Sequence, residues 1–203
     1  MDKPAADARA LACVAVLRHL AGAEVRMPAD THDHVRIVQV PQGGTLFEMG
    51  QVHPYLYVIR QGCVKTVYRQ PDGNEWVQDF MAEGAFFGSV TALVAGGRCS
   101  YACEALEDSE LERLDYAWIE RTAQHDPLWR IALLHGWKDY ATRKEWREHD
   151  LLTLSPQARY EAIVAKDPSL AARVPQKDLA RYLGITPVSL SRIRRRLTGE
   201  MQG

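Results

Sequence analysis

Residues 176–197 constrain this chain more than any other stretch. Leu179, Ala180 and Leu183 recur at helical spacing and mark an apolar stripe on a first short helix. Gly184 follows, a residue that enters the left-handed conformation at a helix end without steric cost. Thr186 offers a side-chain oxygen for an N-cap, and Pro187 suits the first helical position. In the second helix Leu190, Ile193 and Leu197 repeat at the same period. At about 100° per residue the opposite face carries Val188, Ser191, Arg192 and Arg195, flanked by Ser189 and Arg196. Two helices around a tight turn are therefore predicted, the second with one face for packing and one that is small, polar and basic. Such a face suits the DNA major groove, where a helix fits and arginine reads guanine edges. A solvated basic helix in an ordinary helical pair is the plainer alternative. The agreement of cap, turn, core and charged face favours DNA.

Charge is distributed to match. The net charge of −1 divides into +5 for residues 151–203, where nine basic residues face four acidic ones, and −6 for the rest. That asymmetry points to a basic module that meets polyanions and a second module that does not. The 203 residues suffice for one large or two small domains with a real core. No long uncharged apolar run is present, so no membrane span is expected, and the acidic Asp2 and Asp7 argue against a secretion signal. Cys13, Cys63, Cys99 and Cys103 are scattered without paired spacing, which suits free thiols in a reducing cytoplasm. No nucleophile–base pair, metal tetrad or paired carboxylate presents itself, so binding is expected and catalysis is not.

The C-terminal stretch resembles the helix-turn-helix of the Crp/Fnr family, the cyclic-AMP receptor and fumarate-nitrate regulators. In that family a Gly-x-Ser/Thr turn leads into a recognition helix ending in a Ser/Gly-Arg pair. Gly184, Thr186, Ser191 and Arg192 match it. The resemblance extends over about residues 35–197. It implies a homodimeric transcription regulator with double-stranded DNA and RNA polymerase as partners. The alternative is a ligand- or redox-sensing protein, through haem or thiols, whose helical end contacts protein instead.

The remaining chain reads as α+β. Residues 5–21 are rich in Ala and Leu and form a helix striped by Leu11, Val14 and Leu17; residues 22–34 are loop, and His32 and His34 there are read as exposed. From Val35 onward short strands and turns succeed one another: residues 35–40, 45–47, 55–59, 63–68, 75–80, 100–106 and 110–114. Pro71-Asp72-Gly73-Asn74 marks a hairpin. Close-spaced short strands argue for a β-roll or barrel. The resemblance makes it a cyclic-nucleotide-binding-like jelly roll over residues 1–125, with Gly43, Gly50, Gly62, Gly84 and Gly88 at its turns.

Within it, Gly84, Phe86, Phe87, Gly88, Ser89 and Val90 form a glycine-bounded loop entering a short helix, a place able to offer N–H groups to a phosphate. In nucleotide-binding relatives a Glu after the second glycine holds the ribose, and an Arg before a small residue neutralises the phosphate. Here Ser89 stands at the first position and Cys99 at the second, before Ser100 and Tyr101, with Arg98 one residue early. A one-residue shift on a strand turns the side chain to the other face. Cyclic nucleotide is thus not expected, and a haem or other small-molecule effector is left open.

Asp126-Pro127 starts a long helix over about residues 127–149. Leu128, Ile131, Leu134, Trp137 and Ala141 line one stripe, widened by Leu133 and Tyr140. The family resemblance makes residues 126–150 a dimerisation helix and hinge, with residues 143–150 its exposed end. Residues 151–203 are then the helix-turn-helix domain, with a reduced wing. Phosphate contacts are assigned to Lys177, Arg181, Arg194 and Arg196.

Overall fold

The computed structural model describes residues 3–4 and 11–200, with side chains over 11–197. Two antiparallel sheets form its N-terminal part. The first has the order β1 (Lys3–Pro4), β2 (Val35–Val40), β9 (Ser109–Asp115), β4 (Tyr55–Gln61) and β7 (Phe86–Phe87). The second runs β3 (Thr45–Phe47), β8 (Ala102–Ala105), β5 (Val64–Arg69) and β6 (Glu75–Met81). Period-two alternation sorts their side chains. Tyr57, Ile59 and Leu111 face the roll interior with Phe47, Met81, Phe87 and Tyr101. Val58 and Leu114 face outward into a second core shared with helices.

Those helices are α1 (Ala12–Ala21), α4 (Tyr116–His125) and α5 (Pro127–Thr153). Glu112 also points outward and is fully buried. Its carboxylate accepts the N–H groups of Ala12 at 2.6 Å and Cys13 at 2.7 Å, and pairs with Arg60 at 3.0 Å. A helix N-terminus leaves N–H groups without internal partners, so this distant carboxylate supplies what a local cap would have.

The C-terminal part comprises α6 (Pro156–Lys166), α7 (Pro168–Arg173), α8 (Gln176–Leu183) and α9 (Pro187–Glu200). Its core joins the outer face of the second sheet: Val77, Phe80, Cys63 and Leu106 pack with Val174, Leu179, Ala180, Leu183 and Leu190.

Several expectations are revised. The first helix begins at Ala12, and residues 5–10 lie outside those described. The histidine segment forms a short helix, α2 (Thr31–His34), in which His34 stacks on Trp118 and lies 3.4 Å from Asp115. Phe86–Phe87 is a strand, while Ser100 and Tyr101 precede β8. Helix α4 was not expected. Helix α5 runs on to Thr153, so residues 143–150 are continuous helix, and Arg143, Lys144 and Arg147 are half-buried against neighbours.

Candidate nucleic-acid interface and sensor pocket

Local chemistry shapes the α8–α9 pair. Gly184 adopts φ 70°, and the Ile185 N–H reaches back to the Ala180 carbonyl at 3.0 Å, closing the end of α8. Thr186 Oγ1 accepts the Ser189 N–H at 3.2 Å and caps α9. Leu183 and Leu190 are fully buried and Ile193 nearly so. The opposite side faces solvent: Val188 is 62% exposed, and Arg192, Arg195 and Arg196 are exposed. Ser189 and Ser191 are half-buried at its edges, and Ser191 Oγ accepts from Arg195 at 3.4 Å. Arg196 reaches Gln157 of α6 at 3.3 Å.

Lys177 is exposed at the start of α8. Arg181 departs from this set. Its guanidinium turns to the roll, where it pairs with Glu75, and lies 3.6 Å from Asp178.

Arg181 belongs to an ionic seam between the C-terminal helices and the roll. Lys65, on the outer face of β5 and only 7% exposed, places Nζ 2.9 Å from Asp178 and 3.1 Å from Glu104. Arg173 donates to Glu83 at 2.8 and 3.0 Å and pairs with Glu107. That contact holds the Glu83 carboxyl down at about 2 and pushes the Arg173 guanidinium up. Arg147 of α5 donates to the Tyr182 carbonyl and stacks 3.6 Å over its ring. The long sequence separation of these partners hid them; the surplus of charge in both halves was the available signal.

The loop of the roll is ordered by its own atoms. Gly84 turns the chain, Phe86 lies half-buried toward α5, and Phe87 points inward, stacked 5.5 Å from Tyr57. Gly88 is buried, and a side chain there would meet the Tyr55 carbonyl at 2.8 Å. Ser89 is 1% exposed; its Oγ accepts the Ser100 N–H at 3.1 Å and lies 3.1 Å from Thr91 Oγ1. Helix α3 (Val90–Leu93) follows.

Arg98 is exposed and donates to the Gly50 carbonyl at 2.9 Å, away from the interior. Cys99 is buried, its N–H bonded to the Gln51 carbonyl at 2.8 Å. Tyr101 fills the adjoining interior and donates to the Gly88 carbonyl at 2.7 Å. The space left between Thr66, Met81, Phe87, Gly88 and Tyr101 of the roll and Tyr140, Arg143 and Lys144 of α5 is about 20 Å³.

Of the expected helix stripe, Ile131 at 39% and Leu134 at 52% face solvent, as does Ala141. Leu128 packs on the helix-layer core, and Trp137 meets Tyr116 edge-on at 6.5 Å. All four cysteines are buried, and burial raises each thiol, Cys63 to about 12. Thiols held protonated in this way are poor nucleophiles. Among the described residues no group of three or more His, Cys, Asp or Glu is disposed to hold a metal, and no helix is long and apolar enough to cross a membrane.

Comparison with known proteins agrees with this architecture. Residues 37–126 match the family model of the cyclic nucleotide-binding domain. The chain is 25% identical over 171 residues to the transcriptional regulatory protein btr of Bordetella pertussis, covering 77% of this chain and 68% of that one. It is 36% identical over 70 residues to a CRP-like cAMP-activated global transcriptional regulator of Mycobacterium tuberculosis, covering 34% and 31%. Among solved structures, FixK2 from Bradyrhizobium japonicum superposes with a TM-score of 0.72 at 18% identity, covering 82% of this chain and 85% of that one. The c-di-GMP-responsive regulator CLP of Xanthomonas campestris gives 0.67 at 17%, covering 83% and 88%.

Proposed function

We propose that the chain is a transcription regulator of the Crp/Fnr family, as its cyclic nucleotide-binding domain and its likeness to such regulators support, and that it binds double-stranded DNA as a homodimer through α9. The observation that carries the reading is the solvent-facing side of α9, where Val188, Arg192 and Arg195 lie opposite buried Leu190 and Ile193, with exposed Arg196 at the flank. Two such helices in a dimer enter successive major grooves about 34 Å apart, which calls for a near-palindromic site. Arg192 is assigned a bidentate contact to guanine O6 and N7, and Val188 a contact to a thymine methyl. Lys177, Arg194 and Arg196 hold the backbone, and Ser191 and Arg195, with Ser189 at the edge, complete the groove face.

Dimerisation is assigned to the exposed side of α5, with Ile131, Leu134 and Ala141 at the seam and Leu128 and Trp137 at its edge. RNA polymerase is the further partner that such a regulator engages, and the cytoplasm is where it acts.

Selection from a random DNA library tests the groove assignment. Arg192→Ala should relax one base pair and cost about 1–3 kcal/mol per half-site. Arg196→Ala should weaken all sequences alike and flatten the salt slope by about one unit per subunit. An unchanged motif with Arg192→Ala would refute the assignment.

The phosphate site of nucleotide-binding relatives is degenerate in this reading. Ser89 is committed to Ser100 and Thr91, Cys99 offers no charge, and Arg98 points outward. The cations that line the residual space are Arg143 and Lys144 of α5, with Asp79 beside them, and Arg143 already lies 3.0 Å from Asp139, so a phosphate there would have to compete with protein carboxylates. Calorimetry should detect no cyclic AMP binding at micromolar concentration, and a micromolar affinity overturns this.

A further inference from the structure

We propose that the effector of this regulator is a small uncharged apolar molecule seated outside the roll, in the cavity bounded by α1, α5 and the outer face of the first sheet. The word effector rests on the regulator reading above; the binding site does not.

The roll interior beside Gly88 is the first place to look for a ligand, and it is closed. Its free space of about 20 Å³ has room for little more than a single water. The helix layer differs. There a cavity of about 90 Å³ lies between Leu17 and Leu20 of α1, Leu56 of β4, Phe86, and Leu133 and Gly136 of α5. It is lined almost wholly by carbon. The tyrosines and tryptophans along it, Tyr116, Trp137 and Tyr140, meet edge to face at 6.2–6.5 Å, presenting ring surfaces to the space. A space of this lining suits an apolar guest, since water along its walls finds few partners.

The only charged residue among the described lining is Arg143. Its guanidinium lies 3.0 Å from Asp139 and 5.4 Å over the Phe86 ring, so it has a carboxylate counterion at hand although Nε makes no hydrogen bond. An anionic guest would have to compete with Asp139 at that end and would meet carbon everywhere else, so the guest is uncharged.

Gly136 is the second observation. It is buried in mid-helix, where glycine lowers helix stability relative to alanine. Glycine is usual there when a neighbouring backbone would clash with a side chain. Here it would not: an added Cβ would lie 3.6 Å from Leu20 and from Phe86, ordinary contact distances. The missing methyl leaves space in the cavity and serves no close approach.

The walls link the guest to regulation. Gly136, Leu133 and Trp137 face the cavity, while Ile131, Leu134 and Ala141 lie on the other side of the same turns. A guest that binds one placement of α5 better than another shifts the seam by that difference.

The test uses the full chain and fluorobenzene, followed by fluorine NMR. Wild type should show saturable binding that cyclic AMP does not displace. Gly136→Ala, which adds one methyl to the cavity, should weaken it at least tenfold. Leu17→Phe, which fills the opposite wall, should weaken it too and guards against an uninformative first variant. Operator affinity should change at least threefold on saturation in wild type and not in Gly136→Ala. Absence of saturable binding up to the solubility limit overturns the site, as does equal binding by both variants. Saturable binding with unchanged operator affinity overturns the effector role. Failure of the chain to bind any DNA refutes the regulator reading and leaves the binding arm standing.

Discussion

Lys65 gives the most direct measure of how the roll and the C-terminal helices are held together. Its ammonium is buried between Asp178 of α8 and Glu104 of β8, at 2.9 and 3.1 Å. With an effective dielectric constant of about 20, one such contact is worth roughly 6 kcal/mol of Coulomb attraction before desolvation is charged against it. Desolvation of both partners offsets much of that, so the net value of the pair is small, while removing one partner strands the other. Lys65→Met should therefore cost about 3 kcal/mol, the low end of the range for a broken buried pair. The low end applies because Asp178 retains Arg181 at 3.6 Å and Glu104 retains Arg69. Lys65→Met with Asp178→Leu removes both charges and should recover all but about 1 kcal/mol. Urea unfolding at fixed protein concentration, followed by both circular dichroism and tryptophan fluorescence, reads these differences. A Lys65→Met stability within about 0.5 kcal/mol of wild type would mean that water screens the pair as at a surface, and the reasoning would fall.

Other outcomes follow from the same geometry. Ile131→Glu and Leu134→Glu, both on the exposed side of α5, should give folded monomers in light scattering, and a folded dimer would place the seam elsewhere. His53 is buried beside Tyr57 Oη at 2.7 Å, and burial lowers it from 6.5 to about 4. Between those values the unfolded chain binds the proton and the folded chain does not. Its contribution is therefore intact above pH 6.5 and lost as pH falls toward 4, by about 2–3 kcal/mol. His53→Phe should flatten stability over that window, and an unchanged profile would assign the pH dependence to other groups. Glu112→Gln, which trades an acceptor for a donor beneath α1, should cost about 2 kcal/mol in thermal denaturation, and an unchanged Tm would deny the cap its role.

What could be read in advance divides by distance along the chain. The start of α5 was legible because Asp126 and Pro127 are adjacent; Asp126 Oδ1 accepts the Leu128 N–H at 2.8 Å. The α8–α9 turn was legible for the same reason, with Gly184 and Thr186 two residues apart. Strand alternation located most of the roll because each strand reports its own two faces. Helix α4 escaped because only Tyr116, Trp118, Ile119 and Ala123 are buried in an otherwise polar segment that follows a strand directly. The capping role of Glu112 escaped because its partners lie about a hundred positions away. Of the candidate groove residues, local periodicity put Val188 and Arg192 on the solvent side. It could not foresee that Arg181, four residues beyond Lys177, would be captured by Glu75.

That capture changes what the charge of the C-terminal helices means. Counted along the chain, residues 151–203 present a net of +5. In the fold, Arg173 rests between Glu83 and Glu107, and Arg181 against Glu75. These two cations already have carboxylates from the roll as their counterions. A phosphate that took either would displace a fixed protein anion, and such an exchange sets no bound salt cation against the guanidinium in the usual way. The ion-exchange stoichiometry of this surface is therefore smaller than its formal charge, and it rises only as the roll lets go.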